Sequence, residues 1–69
     1  MIIRIIGWEE GFKKVSLNKI LRENYEFNIK EAKEFVDKIL RREQVTLEVD
    51  QLVDFEKQVA DVGILYEVG

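Results

Sequence analysis

Along this 69-residue chain the spacing of apolar side chains switches between a two-residue and a helical period, and each switch marks an element. From Met1 to Ile6, Ile3 and Ile5 fall on one side and Ile2, Arg4 and Ile6 on the other, and the β-branched content predicts a strand. Being apolar on both sides, it is expected at the centre of a sheet. Gly7-Trp8-Glu9-Glu10-Gly11, with glycine at each end, is expected to be a loop. From about Lys13 to Asn24 the period is helical: Leu17, Ile20 and Leu21 share one side, and Lys14, Val15, Asn18, Lys19 and Arg22 occupy the opposite arc, which faces water or a partner.

Asn28 fits an N-cap with Glu31 three residues on, so a capping box should open a second helix. Its apolar stripe is Ile29, Ala32, Phe35, Val36, Ile39 and Leu40, with Lys30 and Lys33 to one side and Arg41 and Arg42 placed to suit the C-terminal dipole. Gln44 to Val49 alternates, with Val45, Leu47 and Val49 inward, as in a strand with one covered face. Asp50 is expected to cap a third helix bearing Leu52, Phe55, Val59 and Val62, and Gly63 to end it in a left-handed conformation. The last strand, Ile64 to Val68, sets Ile64, Tyr66 and Val68 against Leu65 and Glu67.

The order β-α-α-β-α-β offers a single layer of helices to three strands, which predicts an α+β two-layer sandwich whose sheet is covered on one face by the three helices. Strands two and three, joined by a helix, should run parallel through a right-handed crossover, with the first strand antiparallel between them in the order 2-1-3. One domain spans residues 1–69, since a chain this short hides only about 60% of its unfolded surface and cannot be divided further.

A composition of 46% apolar and 36% charged residues with no Pro suits a compact soluble domain and not a disordered one. With neither Cys nor His, disulfides, thiolate metal sites and imidazole chemistry are excluded, and no metal or cofactor is expected. The only Ser, Ser16, lies on a helix with no His to activate it, so catalysis is not expected. Glu9 and Glu10, and Asp50, Asp54 and Asp61, lack calcium-loop spacing and are expected to be solvated acids. Met1-Ile-Ile3 has no basic leader and no stretch is long enough to span a bilayer, which leads to the expectation of a cytoplasmic protein without a membrane partner.

The net charge of -3 conceals a division. Lys13 to Arg42 carries nine Lys/Arg against five Asp/Glu, whereas Glu43 to Gly69 carries one Lys against seven acids. Partners respond to local patches, so the helix pair is a candidate docking surface for an acidic protein.

The residues that make this surface also carry a family pattern. Lys14-Val15, Lys19 and Arg22, followed eight positions later by Lys30-Glu31-Ala32-Lys33 and then Val36, resemble the C-terminal domain of the bacterial ribosomal stalk protein, the large-subunit protein seven/twelve. The acid-opened third helix, Gly63 and the alternating last strand fall in the same register, so the resemblance covers nearly the whole chain. It implies a protein–protein interaction module in translation, related to the ribosome, whose two-helix surface docks translational GTPases such as elongation factors Tu and G. It carries the role onto Lys14, Val15, Lys19, Arg22, Ile29, Lys30 and Lys33, with Asn18 standing where the family keeps an apolar contact residue. The family's Gly-Leu-Gly-Leu is Glu26-Phe27-Asn28-Ile29 here, and its N-terminal dimerising segment and hinge have no counterpart in the sequence, which leads to the expectation of either a stand-alone domain or a fragment. The ClpS-type protease adaptor has a related fold, but its Asn-Asp loop and pocket histidine have no counterpart.

Two further expectations remain. Tyr25 and Phe27 beside the cations offer an alternative reading as a weak RNA-binding surface. Ile2, Arg4, Ile6 and Leu65 on the uncovered sheet face are a candidate homodimer surface.

Overall fold

The computed structural model describes residues 1–69. Its elements are β1 (Ile2–Trp8), α1 (Lys14–Asn24), α2 (Ile29–Leu40), β2 (Val45–Glu48), α3 (Leu52–Val59) and β3 (Ile64–Val68), and the three strands form one sheet in the order β2-β1-β3. This is the α+β architecture that the alternation of periods predicts. β1 runs antiparallel to both neighbours, so β2 and β3 run parallel to each other across it.

The sheet is amphipathic. Ile3, Ile5, Leu47, Val49 and Ile64 are buried against the helices, joined by Leu17 and Leu21 of α1, Ala32, Phe35, Val36 and Ile39 of α2, and Phe55 and Val59 of α3. Fully burying a side chain of this kind contributes about 1.5–3 kcal/mol, which is how so short a chain supports a single core. Phe55 meets Tyr66 of β3 edge-to-face with ring centroids 5.1 Å apart, tying α3 to the sheet.

Three sequence expectations need correction. β1 continues two residues past Ile6, to Trp8, and Gly7 belongs to the strand instead of opening a loop. Its register against β3 shifts between Ile5 and Gly7, so that Ile6 and Gly7 together oppose Leu65. A bulge of this kind reverses the alternation of faces. Trp8, an even-numbered residue like the outward-facing Ile2, Arg4 and Ile6, is thereby brought to the core, where it stacks on Phe12 with centroids 6.1 Å apart.

Asp50 does not cap α3. The N-cap is Gln51, in extended conformation and with no side-chain hydrogen bond to the helix. The acid is one residue too early for its carboxylate to serve the first turn. Gly63, in turn, is not the residue just past the helix: α3 ends at Val59, and a turn closed by the Val62 N–H on the Val59 carbonyl intervenes. Gly63 does have φ +85, and a Cβ there would lie 3.4 Å from the Phe12 backbone, so its role is to bring the start of β3 against the β1–α1 loop. That junction is bonded on both sides, Glu9 N–H to the Gly63 carbonyl and Lys13 N–H to the Val62 carbonyl, each at 2.8 Å.

Candidate docking site

Two helix ends fix the geometry of the α1–α2 hairpin. At the start of α2 the capping box is complete: Asn28 Oδ1 accepts from the Glu31 N–H at 2.7 Å and Glu31 Oε1 accepts from the Asn28 N–H at 3.0 Å. At its end, the Arg42 N–H donates to the Ile39 carbonyl and the Glu43 N–H to the Lys38 carbonyl, both at 2.9 Å, with Arg42 left-handed at φ 62. This is the six-to-one and five-to-two pattern that commonly closes helices, usually with glycine in the left-handed position. Arg42 occupies that position and lays its guanidinium over the Trp8 ring, 4.6 Å from the centroid. Arg41 pairs with Glu43 at 2.7 Å, which raises its pKa through that hydrogen bond and charge. Both arginines at the end of α2 are thus engaged with neighbours.

Between α1 and α2 the surface dips into a groove of about 340 Å³. Four of the predicted docking residues line it, Lys14, Val15 and Asn18 from α1 and Lys33 from α2. Its apolar lining is completed by Val36 and Leu40, which periodicity places in the core stripe, and its one carboxylate is Asp37. Sequence reasoning missed these three as site residues, although Asp37 stands one helical turn from Lys33 and the signal was available. Arg22 lies outside the groove but donates from Nε to Asn18 Oδ1 at 2.7 Å, holding the amide at the groove's edge. Lys19, Ile29 and Lys30 are exposed and do not line it.

The groove's surroundings are solvated and electropositive. The ion pairs of the molecule are Arg4–Glu67 and Arg41–Glu43, so Lys14, Lys19, Lys30 and Lys33 carry no carboxylate partner. Val15 is 75% exposed and Ile29 73%, two aliphatic side chains left in water among four ammonium groups. Ile29 is therefore not part of the core stripe to which its spacing assigns it, whereas Ala32, three residues on, is buried.

Tyr25 and Phe27, between the helices, are half-buried against the core. The Tyr25 hydroxyl donates to Gln58 Oε1 at 2.7 Å, and Phe27 meets Phe35 edge-to-face at 5.3 Å. Burial first, then the charges of Asp54 and Asp50, raises the Tyr25 pKa. Both rings thus make internal contacts while also lining a hollow at the surface.

On the opposite side of the sheet, Ile2, Ile6 and Leu65 are 43%, 41% and 40% exposed, and Arg4 reaches across to Glu67 at 3.5 Å. The candidate homodimer residues therefore share one uncovered face, with a charged pair across its middle. No group of three or more acids is gathered as a metal-holding cluster, and no helix is long and apolar enough to cross a membrane. Comparison of the chain with protein-family models, with curated proteins and with solved structures finds no match.

Proposed function

We propose that this chain is a non-enzymatic docking module that presents the α1–α2 groove to an acidic protein partner. The family resemblance makes a translational GTPase, met in the cytoplasm at or near the ribosome, the partner class to test first. The observation that carries the reading is the combination of unpaired cations with aliphatic side chains: Lys14 and Lys33 line a groove together with Val15, Val36 and Leu40, and Val15 stands in water beside them. Cations steer encounter and orientation, while burying Val15 or Ile29 at an interface supplies about 1.5–3 kcal/mol each.

The placement of Lys14 supports a selected role for its charge. It is the first residue of α1, a helix with no acid in its first turn and no side-chain cap. A cation at that end opposes the helix dipole and costs about 0.3–1 kcal/mol, so stability alone favours an acid there.

The test is a pull-down from cell extract with the wild-type chain and with Lys14→Glu combined with Lys33→Glu, alongside denaturation of both. The expected result is loss of the captured acidic proteins, translational GTPases among them, with a fold at least as stable as the wild type. Recovery of the same proteins by the variant would remove the groove as the docking site. Capture that depends on RNA and disappears with nuclease would transfer the cations to nucleic-acid binding.

A further inference from the structure

The outer edge of β2 is open in a way that the ladder itself makes explicit. Met1 and Val49 exchange two hydrogen bonds, the terminal amine donating to the Val49 carbonyl and the Val49 N–H to the Met1 carbonyl, each at 2.9 Å. Bonded and non-bonded pairs alternate along an antiparallel ladder, so with Ile3 opposite Leu47 and Ile5 opposite Val45 the inward groups of β2 are those of Val45 and Leu47. Thr46 and Glu48 consequently direct their N–H and C=O groups away from β1. No backbone or side chain outside the sheet bonds to them.

Two surface hollows, of about 360 and 440 Å³, flank this edge, and Thr46 lines both. Glu31 and Glu34 stand in the first, and Glu26, Glu48 and Asp50 in the second, while Lys38 is the only cation in either. None of these five carboxylates has an ion-pair partner.

We propose that the β2 edge accepts an extended, Lys- or Arg-bearing segment of another protein as a fourth strand. The main-chain groups of Thr46 and Glu48 give the hydrogen bonds of strand addition, and the carboxylates in the flanking hollows select a basic sequence. β2 spans four residues, about 13 Å of strand, which sets the bound segment at four to five residues. Charge argues against a second copy as the occupant, because the hollows along this edge hold five carboxylates and one cation, and pairing β2 with β2 would bring two such acidic surfaces together. This surface shares α2 with the groove proposed for acidic partners but no lining residue, and it has the opposite sign, so the two readings stand or fall separately.

The probe is a labelled, end-blocked peptide of alternating Lys and Val, with an alternating Glu and Val peptide as the control, followed by fluorescence anisotropy and by amide exchange in NMR. Binding of the basic peptide alone is expected, weakening with salt, with slowed exchange at Thr46 and Glu48 but not at Leu47. Thr46→Pro removes an outward N–H while the ladder to β1 is kept by Val45 and Leu47, and should weaken binding about tenfold or more. The same peptide methylated on alternate backbone nitrogens tests the hydrogen bonds with the protein unaltered, and should not bind. Lys33→Glu should leave the affinity unchanged. Equal binding of the methylated peptide, equal binding of the acidic control, or loss of binding in Lys33→Glu would each overturn the proposal.

Discussion

Glu26 carries a Cβ in a backbone conformation that favours glycine. With φ 59 it lies in the left-handed region two residues past the end of α1, where the Tyr25 and Phe27 N–H groups both turn back to the Leu21 carbonyl. For a residue with a Cβ that conformation costs about 1–2 kcal/mol, and glycine gives back part of it through its greater unfolded-state entropy, about 0.5–1 kcal/mol. Glu26→Gly should therefore stabilise the fold by about 1 kcal/mol, which in a domain of this size raises the melting temperature by about 4–8 °C. In urea the midpoint should rise with the slope unchanged. Glu26→Ala separates backbone from charge, because alanine keeps the Cβ; it should gain little. Arg42, left-handed at φ 62, provides the contrast. Its guanidinium rests on Trp8, an interaction of about 0.5–1 kcal/mol that Arg42→Gly would forfeit, so that variant should be near neutral. A Glu26→Gly variant no more stable than wild type, or one matched by Glu26→Ala, would refute the backbone account.

Two more outcomes follow from the same structure. Asn28→Ala removes the half of the capping box in which Asn28 Oδ1 accepts from the Glu31 N–H, leaving the backbone half, and should destabilise by about 1 kcal/mol, read as a lower urea midpoint; no loss would mean that the α2 terminus is held without that bond. The phenols of Tyr25 and Tyr66 have pKa values raised from the ordinary 10.0, by burial first in each case and then by Asp54 and Asp50 or by Glu56. The folded state thus keeps these protons where the unfolded chain begins to lose them, so stability is intact below about pH 10 and declines as pH rises through and beyond it. Urea midpoints taken across that range should fall more gently in Tyr25→Phe, and parallel slopes would remove Tyr25 from the effect.

Much of the fold was legible because it rests on short-range chemistry. The Asn28 and Glu31 pair announces α2 by spacing alone, and the alternation of Val45, Leu47 and Val49 gives the covered face of its strand. What escaped depends on contacts between distant segments. The bulge that turns Trp8 inward is set by the register of β1 on β3, and nothing local distinguishes Gly7 in a strand from Gly7 opening a loop. Asp50 was a sound cap by composition, but the chain turns one residue later. At the candidate site, helical phase separated the exposed cations from the buried stripe. It could not show that Val36 and Leu40 sit where α1 and α2 diverge, so that residues assigned to the core also line the groove. Ile29 went the other way, its spacing apolar and its side chain exposed.

The strand at the N-terminal end of the chain is the one flanked on both sides. Ile3 pairs with Leu47 on one edge and with Val68 on the other, so β1 is not paired on both edges until residues near the far end are available. During synthesis the α1–α2 hairpin, whose contacts are local, has all its residues in hand well before the sheet does. A nascent chain then carries the helices with β1 but ahead of the completed sheet that buries their apolar side. Removal of β3 would leave the central strand half unpaired, take Ile64 from the core and strip Tyr66 from Phe55, so truncation from the C-terminal end should unfold the whole body, not trim it.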